Sequence, residues 1–543
     1  MYEGNPLCKY FLYGIMRTIR KFRMNMTDSE RSSMQLKRSS GIILHPTSLP
    51  GRFGIGALGA EAYEFVDFLA DAGQSVWQIL PLGPTGYGDS PYSAFSAFAG
   101  NPLLICLERL VETGDLNPED IEGISFPEGK ANYGFVHGFK ERLLHQAAHR
   151  FRTGASAERR AAFEEFCALQ GYWVNDYSLF RVLRSHFDEK SWNQWPTDIR
   201  KREEKALQNW REKLGDAIYY HQYAQFIFFE QWFALKGYAN SRGIKIFGDI
   251  PIFVAFDSAD VWANPHLFHL DENGSPTVVA GVPPDYFSAT GQRWGNPLYR
   301  WDRMAESGFS WWVARFRWNL SQADMVRIDH FRGFEACWSI PVSEETAVNG
   351  SWTPVPGEKL FLTLVEVMGE IPVIAEDLGL ITPEVEELRD RFGFPGMKVL
   401  QFAFGSGPDP DPGNPYLPHN LERRSVIYTG THDNTTTPGW WQDLSKDEKN
   451  AVRSYLGTDG RDIHWDLIRL AMLSVADLSI FPLQDVLGLG ASARMNAPGS
   501  SAGNWSWRYL PNVLTEELRQ RLAGMCRTYG RIPWEETPSF LAG

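Results

Sequence analysis

The octet Val326–Gly333 combines an apolar run with three side chains that can do chemistry. The β-branched residues in it are typical of a buried strand, and Arg327 and Asp329 alternate with them before His330 follows. An unpaired charge in a buried strand costs several kcal/mol to desolvate. We therefore interpret the octet as part of a functional site. A structural ion pair between Arg327 and an acidic neighbour is the alternative.

Polar residues follow apolar runs elsewhere in the same way, namely His45, Asp249, Glu376 with Asp377, and His432 with Asp433. One such carboxylate could be a helix cap, but three at the ends of separate runs are hard to explain as caps. Two carboxylates about 5–5.5 Å apart can perform retaining glycoside chemistry, one as nucleophile and one as acid/base. A third could bind sugar hydroxyls, beside an Arg and a His that favour the ionised nucleophile. Metal binding, with His45 and His432 as additional ligands, is the alternative, although no compact ligand motif is present.

Eight strand signals position these residues, at 41–45, 75–80, 245–250, 325–330, 372–377, 397–404, 425–433 and 478–485. Most are followed by a helix-like stretch, such as 382–391. Eight β-α repeats predict an α/β fold of the (β/α)8 TIM-barrel class, in which polar residues at the C-terminal strand ends converge on one face. A doubly wound open sheet is the alternative, but no Gly-rich phosphate fingerprint follows any strand.

Three regions differ in character along the chain. Residues from about 103 to 240 show long helical patterns, such as 219–235, and predict a large, mostly helical insertion in the barrel. The barrel is expected to span 41–543, with loop subdomains around its C-terminal face. In the first 40 residues a short apolar stretch precedes basic residues, which is not the order of a secretory signal. We expect residues 1–40 to be a disordered extension, with a short targeting peptide as the alternative.

Composition argues against several classes of partner. The 53 Lys and Arg against 66 Asp and Glu give a net charge of −13, which disfavours nucleic acid and anionic membranes. No apolar run approaches the roughly 20 residues that span a membrane. Five scattered cysteines without a CxxC spacing predict neither a disulfide framework nor a zinc site, and they suit a reducing cytoplasm. We expect no cofactor and no metal, and the oligomeric state stays open.

Long motifs between Gly41 and about Arg508 carry a family resemblance. They are GIILHPTSLP from Gly41, WQILPLGPTGYGDSPYSAFSAFAGNP from Trp77, GDIPIFVAFDSADVWANP from Gly248, GVPPDYFSATGQRWGNPLY from Gly281, VRIDHFRG from Val326, IAEDLG from Ile374, YTGTHDNTTTPGWW from Tyr428 and RMNAPGSSAGNWSWR from Arg494. In these motifs and their order the chain resembles the 4-α-glucanotransferases of the amylomaltase (disproportionating enzyme) family, a branch of the α-amylase-like barrel enzymes. Residues 1–40 lie outside the resemblance.

The resemblance implies an activity and a catalytic set. A segment of an α-1,4-glucan would be transferred to the 4-hydroxyl of an acceptor glucose or glucan by a retaining double displacement. Asp329 would be the nucleophile that forms a covalent glucosyl-enzyme intermediate. Glu376 would protonate the leaving glucan and then deprotonate the incoming hydroxyl, and Asp433 would be the stabilising third carboxylate.

The resemblance also implies a substrate-binding set, namely Arg327, His432, Asp249, Tyr92, Trp294, Phe402, Tyr87 and Ser48. Arg327 would keep Asp329 ionised, and Trp294 would lie in a lid loop over the acceptor side. For Tyr87 a second glucan contact and plain packing both stay open. The implied partners are α-1,4-glucans and maltooligosaccharides, with glucose as an acceptor. An α-glucan hydrolase, a carbohydrate-binding protein without catalysis and a metal-dependent enzyme are the alternatives.

Overall fold

The computed structural model describes residues 36–284, 288–404, 411–500 and 503–532, except for the side chain of Tyr87. The described residues form twelve strands: β1 (Ser39–Ile43), β2 (Val76–Gln78), β3 (Lys245–Pro251), β4 (Val278–Val282), β5 (Gln292–Pro297), β6 (Met325–Asp329), β7 (Ala336–Pro341), β8 (Ser351–Pro354), β9 (Val373–Ala375), β10 (Gly396–Val399), β11 (Ser425–Tyr428) and β12 (Leu478–Pro482). The predicted extension 1–40 falls almost wholly outside these ranges. Its last residues, Ser39 and Ser40, already belong to β1.

Eight of the strands form a closed parallel barrel in the order β1-β12-β11-β10-β9-β6-β3-β2. All eight correspond to the strand signals of the sequence, so the predicted (β/α)8 class is confirmed. Their residues are buried in near-continuous apolar runs, as expected for parallel strands that are covered by helices on the outside and by packed side chains within.

Three predicted strands end three to five residues earlier than the sequence indicated. The strand predicted at 397–404 ends at Val399 and passes into the 3-10 helix Leu400–Ala403. The strands predicted at 425–433 and 478–485 end at Tyr428 and at Pro482. Apolar and β-branched residues past these points favour a strand locally, but β10 and β11 stop together at the pair Val399–Tyr428, beyond which neither has a ladder partner. The polar residues of 429–433 therefore lie in a loop above the barrel.

Seven helices lie between β2 and β3, at Leu107–Glu112, Tyr133–Gly154, Ala157–Leu169, Gly171–His186, Thr197–Arg200, Glu204–Lys213 and Gly215–Ser241. The last of them is held to the connection after β2 by two buried glutamines. The Gln225 amide bonds the backbone N and O of Gly100 at 2.7 and 2.9 Å, and the Gln231 amide bonds those of Cys106 at 2.7 and 3.1 Å. The division of the chain at about 103–240 stays a prediction.

The remaining helices surround the barrel or connect its strands, at Ala60–Asp71, Ala259–Ala263, Trp301–Glu306, Ser310–Gln322, Gly357–Met368, Pro383–Arg391, Thr437–Asp443, Lys446–Leu456, Ile463–Leu473, Leu483–Val486 and Glu516–Thr528. A smaller antiparallel sheet of order β5-β4-β7-β8 is built from the connections that follow β3 and β6. It lies beyond the C-terminal ends of those strands, where loop subdomains were expected. In the described ranges, no helix is both long enough and apolar enough to cross a bilayer.

Candidate active site

Strand register brings the octet of β6 beside its neighbours in the barrel. Asp249 of β3 pairs with Arg327, and Ile328 pairs with Ala375 of β9. Asp329 and Glu376 therefore follow at the C-terminal ends of two hydrogen-bonded strands. Neighbouring strands lie about 4.8 Å apart, so both carboxylates project from backbones one strand spacing apart. This arrangement suits the short separation of retaining enzymes better than the wider one of inverting enzymes.

The guanidinium of Arg327 bonds two carboxylates, those of Asp329 and Asp249. It lies 2.6 Å from Oδ1 of Asp329 and 3.0 Å from Oδ2 of Asp249. The side chains of Arg327 and Asp249 are 4% and 0% exposed, whereas that of Asp329 is 31% exposed. Burial lowers the pKa of Arg327, but Asp249, Tyr92 and Asp329 raise it well above its ordinary value. The buried Arg327–Asp249 pair thus holds Asp329 in place, and the Asp329 carboxylate stays accessible from the C-terminal face of the barrel.

Glu376 accepts its hydrogen bonds from backbone amides. The N–H of His330 donates to Oε2 at 2.8 Å, and the N–H of Leu378 donates to Oε1 at 3.3 Å. His330 adopts a left-handed conformation with φ of 55°, directly after the strand that ends at Asp329. Non-glycine residues seldom adopt this conformation, and it is enriched at functional sites. The turn after Asp329 thus positions the neighbouring carboxyl group.

The two carboxyl groups have different environments. Burial and the charge of Asp329 raise the pKa of Glu376 to about 8, and the more distant Arg327 lowers it only in part. Burial also raises the pKa of Asp329, with Asp249 and Asp433 acting in the same direction, whereas Arg327 lowers it. Since the guanidinium bonds Asp329 directly, a proton shared by the pair resides on Glu376. One group is then a poised acid, and the other is a carboxylate.

Asp433 lies on the loop after β11 and is held from two sides. The Asn496 amide donates to its Oδ1 at 2.6 Å, and Nε2 of His432 lies 3.4 Å from its Oδ2. The His432 ring stacks on Tyr92 with centroids 5.2 Å apart and an interplanar angle of 10°. Burial lowers the pKa of His432, so the ring is neutral at pH 7. The side chain of Asp433 remains 45% exposed and can meet a ligand.

Tyr92 connects the parts of the site. Its hydroxyl donates to Oδ2 of Asp249 at 2.7 Å and lies 3.3 Å from the Arg327 guanidinium. The structure therefore brings together Asp329, Glu376 and Asp433 with four of the predicted binding residues: Arg327, His432, Asp249 and Tyr92.

Two of the other four predicted binding residues are exposed aromatic side chains, and one of them, Trp294, contacts the turn after Asp329. Trp294 of β5 is 38% exposed and makes an edge contact with the His330 ring at 4.9 Å and 88°. Phe402 is 36% exposed and packs edge-on against Tyr416 at 5.5 Å. Both present part of an aromatic face to solvent. Such faces can stack on the apolar side of a sugar ring.

Ser48 and Tyr87 are not brought into this group by any contact described. Ser48 is buried, and its hydroxyl donates to Sδ of Met495 at 3.7 Å. It lines a small cavity beneath His432 that His45 also borders. The backbone of Tyr87 lies in the short helix Tyr87–Asp89, and its side chain falls outside the described part of the structure.

Asn496 and Trp505 contact the site, although the sequence analysis assigned them no role in it. Asn496 holds Asp433, and the Trp505 ring lies 5.8 Å from Tyr92 and 6.0 Å from His432. The motif from Arg494 to Arg508 contains both residues, but nothing in it indicates which other side chains they would contact.

Burial lowers the pKa of His45 to about 3, with His432 adding to the effect. Within the described ranges, no group of three or more His, Cys, Asp or Glu side chains could hold a metal ion.

A closed (β/α)8 barrel with two neighbouring carboxyl groups in different surroundings at its C-terminal face fits an enzyme that acts on glycosidic bonds. The sequence profile of the family described as 4-alpha-glucanotransferase matches residues 44–514. The chain therefore belongs to the 4-alpha-glucanotransferases, which transfer segments of α-1,4-glucans by a retaining double displacement.

Comparisons with individual proteins agree. The 4-alpha-glucanotransferase of Thermus thermophilus is 54% identical over 507 residues, which cover 92% of this chain and 100% of that protein. The enzyme of Synechocystis sp. is 54% identical over 500 residues, covering 91% and 98%. The amylomaltase from Streptococcus agalactiae in complex with acarbose superposes with a TM-score of 0.88 at 40% identity, covering 91% of this chain and 100% of that one. The predicted family, fold class and transferase activity are confirmed.

Proposed function

We propose that Asp329 is the nucleophile of the transfer reaction and Glu376 its general acid and base. The difference between their environments carries this proposal: Arg327 bonds Asp329 at 2.6 Å, whereas Glu376 accepts only backbone amides among its described hydrogen bonds. In the first step the Asp329 carboxylate attacks the anomeric carbon while Glu376 gives its proton to the leaving glucan. In the second step Glu376 takes the proton of the incoming 4-hydroxyl, and the bond to Asp329 breaks.

The neighbouring groups act on the sugar whose bond is cleaved. Asp433, held by Asn496, accepts hydrogen bonds from hydroxyl groups of that sugar and stabilises its developing positive charge. His432, Tyr92 and Asp249 complete the wall on which it rests, and Arg327 keeps Asp329 ionised. These roles are supported by the stacking of His432 on Tyr92 and by the Tyr92–Asp249 hydrogen bond, which leave little freedom to either ring.

The raised pKa of Glu376 predicts the alkaline limb of the pH profile. A general acid must be protonated before catalysis, and the protonated form persists up to about pH 8. We expect kcat/KM for maltotriose to fall about tenfold per pH unit above that value. Initial rates measured across the alkaline range test this expectation. An alkaline limb near the ordinary glutamate pKa would contradict it.

We propose that glucose and maltooligosaccharides are the acceptors and that Trp294 favours them over water. Water and a sugar hydroxyl compete for the same covalent intermediate. The exposed ring of Trp294 lies against His330, next to the nucleophile, and offers an aromatic face to an incoming sugar. The glycines at 291 and 295 have φ of 65° and 85°, so this part of the loop adopts backbone conformations that favour glycine.

Product profiling on maltotriose tests the transfer. The enzyme should yield a ladder of longer maltooligosaccharides together with glucose. Trp294→Ala should shift the products toward hydrolysis by about 10-fold, because the acceptor loses a stacking partner. Chromatography of a time course measures both ratios, with Leu380→Ala, an exposed apolar residue that the proposal does not use, as the control. Only glucose and maltose, without longer products, would contradict the proposed acceptors.

We also propose that the enzyme works in the cytoplasm. Cys106, Cys167, Cys337 and Cys526 are free thiols in the described part of the chain, and three of the four are buried. Unpaired cysteines suit a reducing compartment. Fractionation of cells that express the protein at its native level would test this location.

A further inference from the structure

A second pocket lies away from the carboxyl groups, on the flank of the barrel. It is formed between the helices Gly171–His186, Ala259–Ala263 and Ser310–Gln322 and has a volume of about 240 Å³. This volume is close to the lower end of the range for small-molecule sites, about 300–1,000 Å³. Among the described residues that line this flank pocket, none belongs to the catalytic and binding set around Asp329.

Two aromatic side chains give the flank pocket an apolar wall. Tyr172 is 55% exposed, and its ring stands perpendicular to Phe98 at 5.8 Å. Trp311 also packs edge-on against Phe98, at 6.0 Å and 87°. Phe98 thus orients both rings, and the face of Tyr172 remains open to a ligand. An exposed aromatic ring held by a buried one is a ready stacking surface.

The pocket also contains polar groups with unused hydrogen-bonding capacity. The side chain of Asp176 is 25% exposed, and its carboxylate can accept a hydrogen bond from a ligand. Asp260 is buried at the base of the pocket, where one carboxylate oxygen accepts from the N–H of Ala97 at 2.8 Å. Asn264 adds a further polar group to the lining.

The charge of the lining selects the class of ligand. The described residues that line the pocket include Asp176 and Asp260 and no Lys or Arg. Arg202, which does not line the pocket, pairs with Asp176 at 2.7 Å, so a phosphate or carboxylate ligand would meet two carboxylates and no free cation. A neutral ligand with an apolar face and several hydroxyl groups meets both features, because its face stacks on Tyr172 and its hydroxyls bond the carboxylates. A sugar ring has this chemistry.

Ring contacts relate the flank pocket to the acceptor side of the active site. Trp311 contacts Tyr299 at 5.8 Å, Tyr299 contacts Phe253 at 6.0 Å, and Phe253 contacts Trp294 at 6.3 Å. Three successive contacts thus separate the pocket from the ring proposed to hold the acceptor. A polymer held at both places would bind more tightly than at either alone, because the second contact becomes intramolecular.

We propose that the flank pocket binds a glucosyl unit of a long α-glucan and retains polymeric substrates while their ends react. The proposal rests on the proposed function for the class of substrate. It assigns to Tyr172 the stacking surface and to the carboxylates of Asp176 and Asp260 the hydrogen bonds. A short donor cannot occupy the active site and the flank pocket at the same time, so the pocket does not raise its affinity.

Native electrophoresis in gels that contain soluble amylose tests this proposal, together with maltotriose kinetics on the same proteins. Tyr172→Ala should weaken the apparent affinity for amylose about five- to tenfold and leave kcat/KM for maltotriose within about twofold of the parent. Tyr172→Phe, which keeps the ring, should behave as the parent. Leu169→Ala is the matched control, since Leu169 is a comparably exposed apolar residue nearby that does not line the pocket.

The outcomes distinguish binding of amylose in the flank pocket from an effect of Tyr172 on the active site. Equal retardation of Tyr172→Ala and Leu169→Ala would overturn the proposal, as would a loss in Tyr172→Phe equal to that in Tyr172→Ala. A matching fall in maltotriose kinetics for Tyr172→Ala would also overturn it, because Tyr172 would then act through the catalytic site. If the parent protein is retarded by amylose but makes no ladder from maltotriose, the proposed acceptors fail, and the retardation of the variants still decides the pocket.

Discussion

Asp329→Ala should reduce transfer between maltooligosaccharides by about 10⁴-fold or more, because no covalent intermediate can form without the nucleophile. Folding should survive the change. Arg327 keeps Asp249 as a partner at 3.0 Å, so the substitution leaves no buried charge alone. Initial rates of glucose release from maltotriose measure the loss, and a thermal melt checks the fold. Asp447→Ala, which removes an exposed carboxylate from the helix Lys446–Leu456, is the control.

A rescue experiment with azide tests whether the residue removed in Asp329→Ala is the nucleophile. In Asp329→Ala the space of the missing carboxylate can admit azide, which attacks α-glucosyl fluoride from the side opposite to the leaving group. The product should be β-glucosyl azide, whose configuration NMR identifies. Near-parental transfer by the variant would refute the assignment of Asp329. Formation of the α-azide would instead assign the deleted group to acid/base chemistry.

Glu376→Ala should reduce transfer from maltotriose by about 10³- to 10⁴-fold, because a glucan leaves poorly without a proton. Fluoride needs no proton to leave, so the first step with α-glucosyl fluoride should be nearly preserved. The second step lacks its base, and the glucosyl-enzyme should therefore accumulate on Asp329. Intact-protein and peptide mass spectrometry can detect and locate the added glucosyl unit.

Azide gives the opposite configuration in this variant. It attacks the accumulated intermediate from the side left open by the missing carboxyl group, so the product should be α-glucosyl azide. The alkaline limb assigned to Glu376 should disappear from the fluoride reaction as well. Glu345→Ala, at an exposed position, serves as the control. Equal losses on maltotriose and on the fluoride would contradict an acid/base role.

Much of the fold could be predicted because its signals are local. Each barrel strand is an apolar run bounded by turn residues, and eight of them alternating with helical patterns favour one closed barrel. The C-terminal limits of β10, β11 and β12 were wrong because a strand ends where its neighbour ends, which depends on residues elsewhere in the chain. The antiparallel sheet β5-β4-β7-β8 was missed as a sheet for the same reason, since its strands are short and pair across long connections.

The candidate site divides in the same way. The residue types and their positions after apolar runs could be read along the chain, and the long motifs identified the family. The partners of each group could not be read, because they come from distant segments: Asp249 is 78 positions from Arg327, and Asn496 is 63 positions from Asp433. No local sequence pattern indicates which residues from distant segments will meet in the folded chain.

The amino-acid sequence was thus sufficient to predict the barrel and the family, which are confirmed, and to nominate three carboxyl groups as a site, because local patterns and motifs indicate all of these. Folding decided which carboxyl group bonds Arg327 and which accepts its hydrogen bonds from backbone amides. A proton affinity depends on burial and on charges within a few ångströms, and those neighbours meet only when β3, β6 and β9 align in the barrel. Closure of the barrel also brings together the loops after β2 and β11, which carry Tyr92 and His432, and the two rings stack.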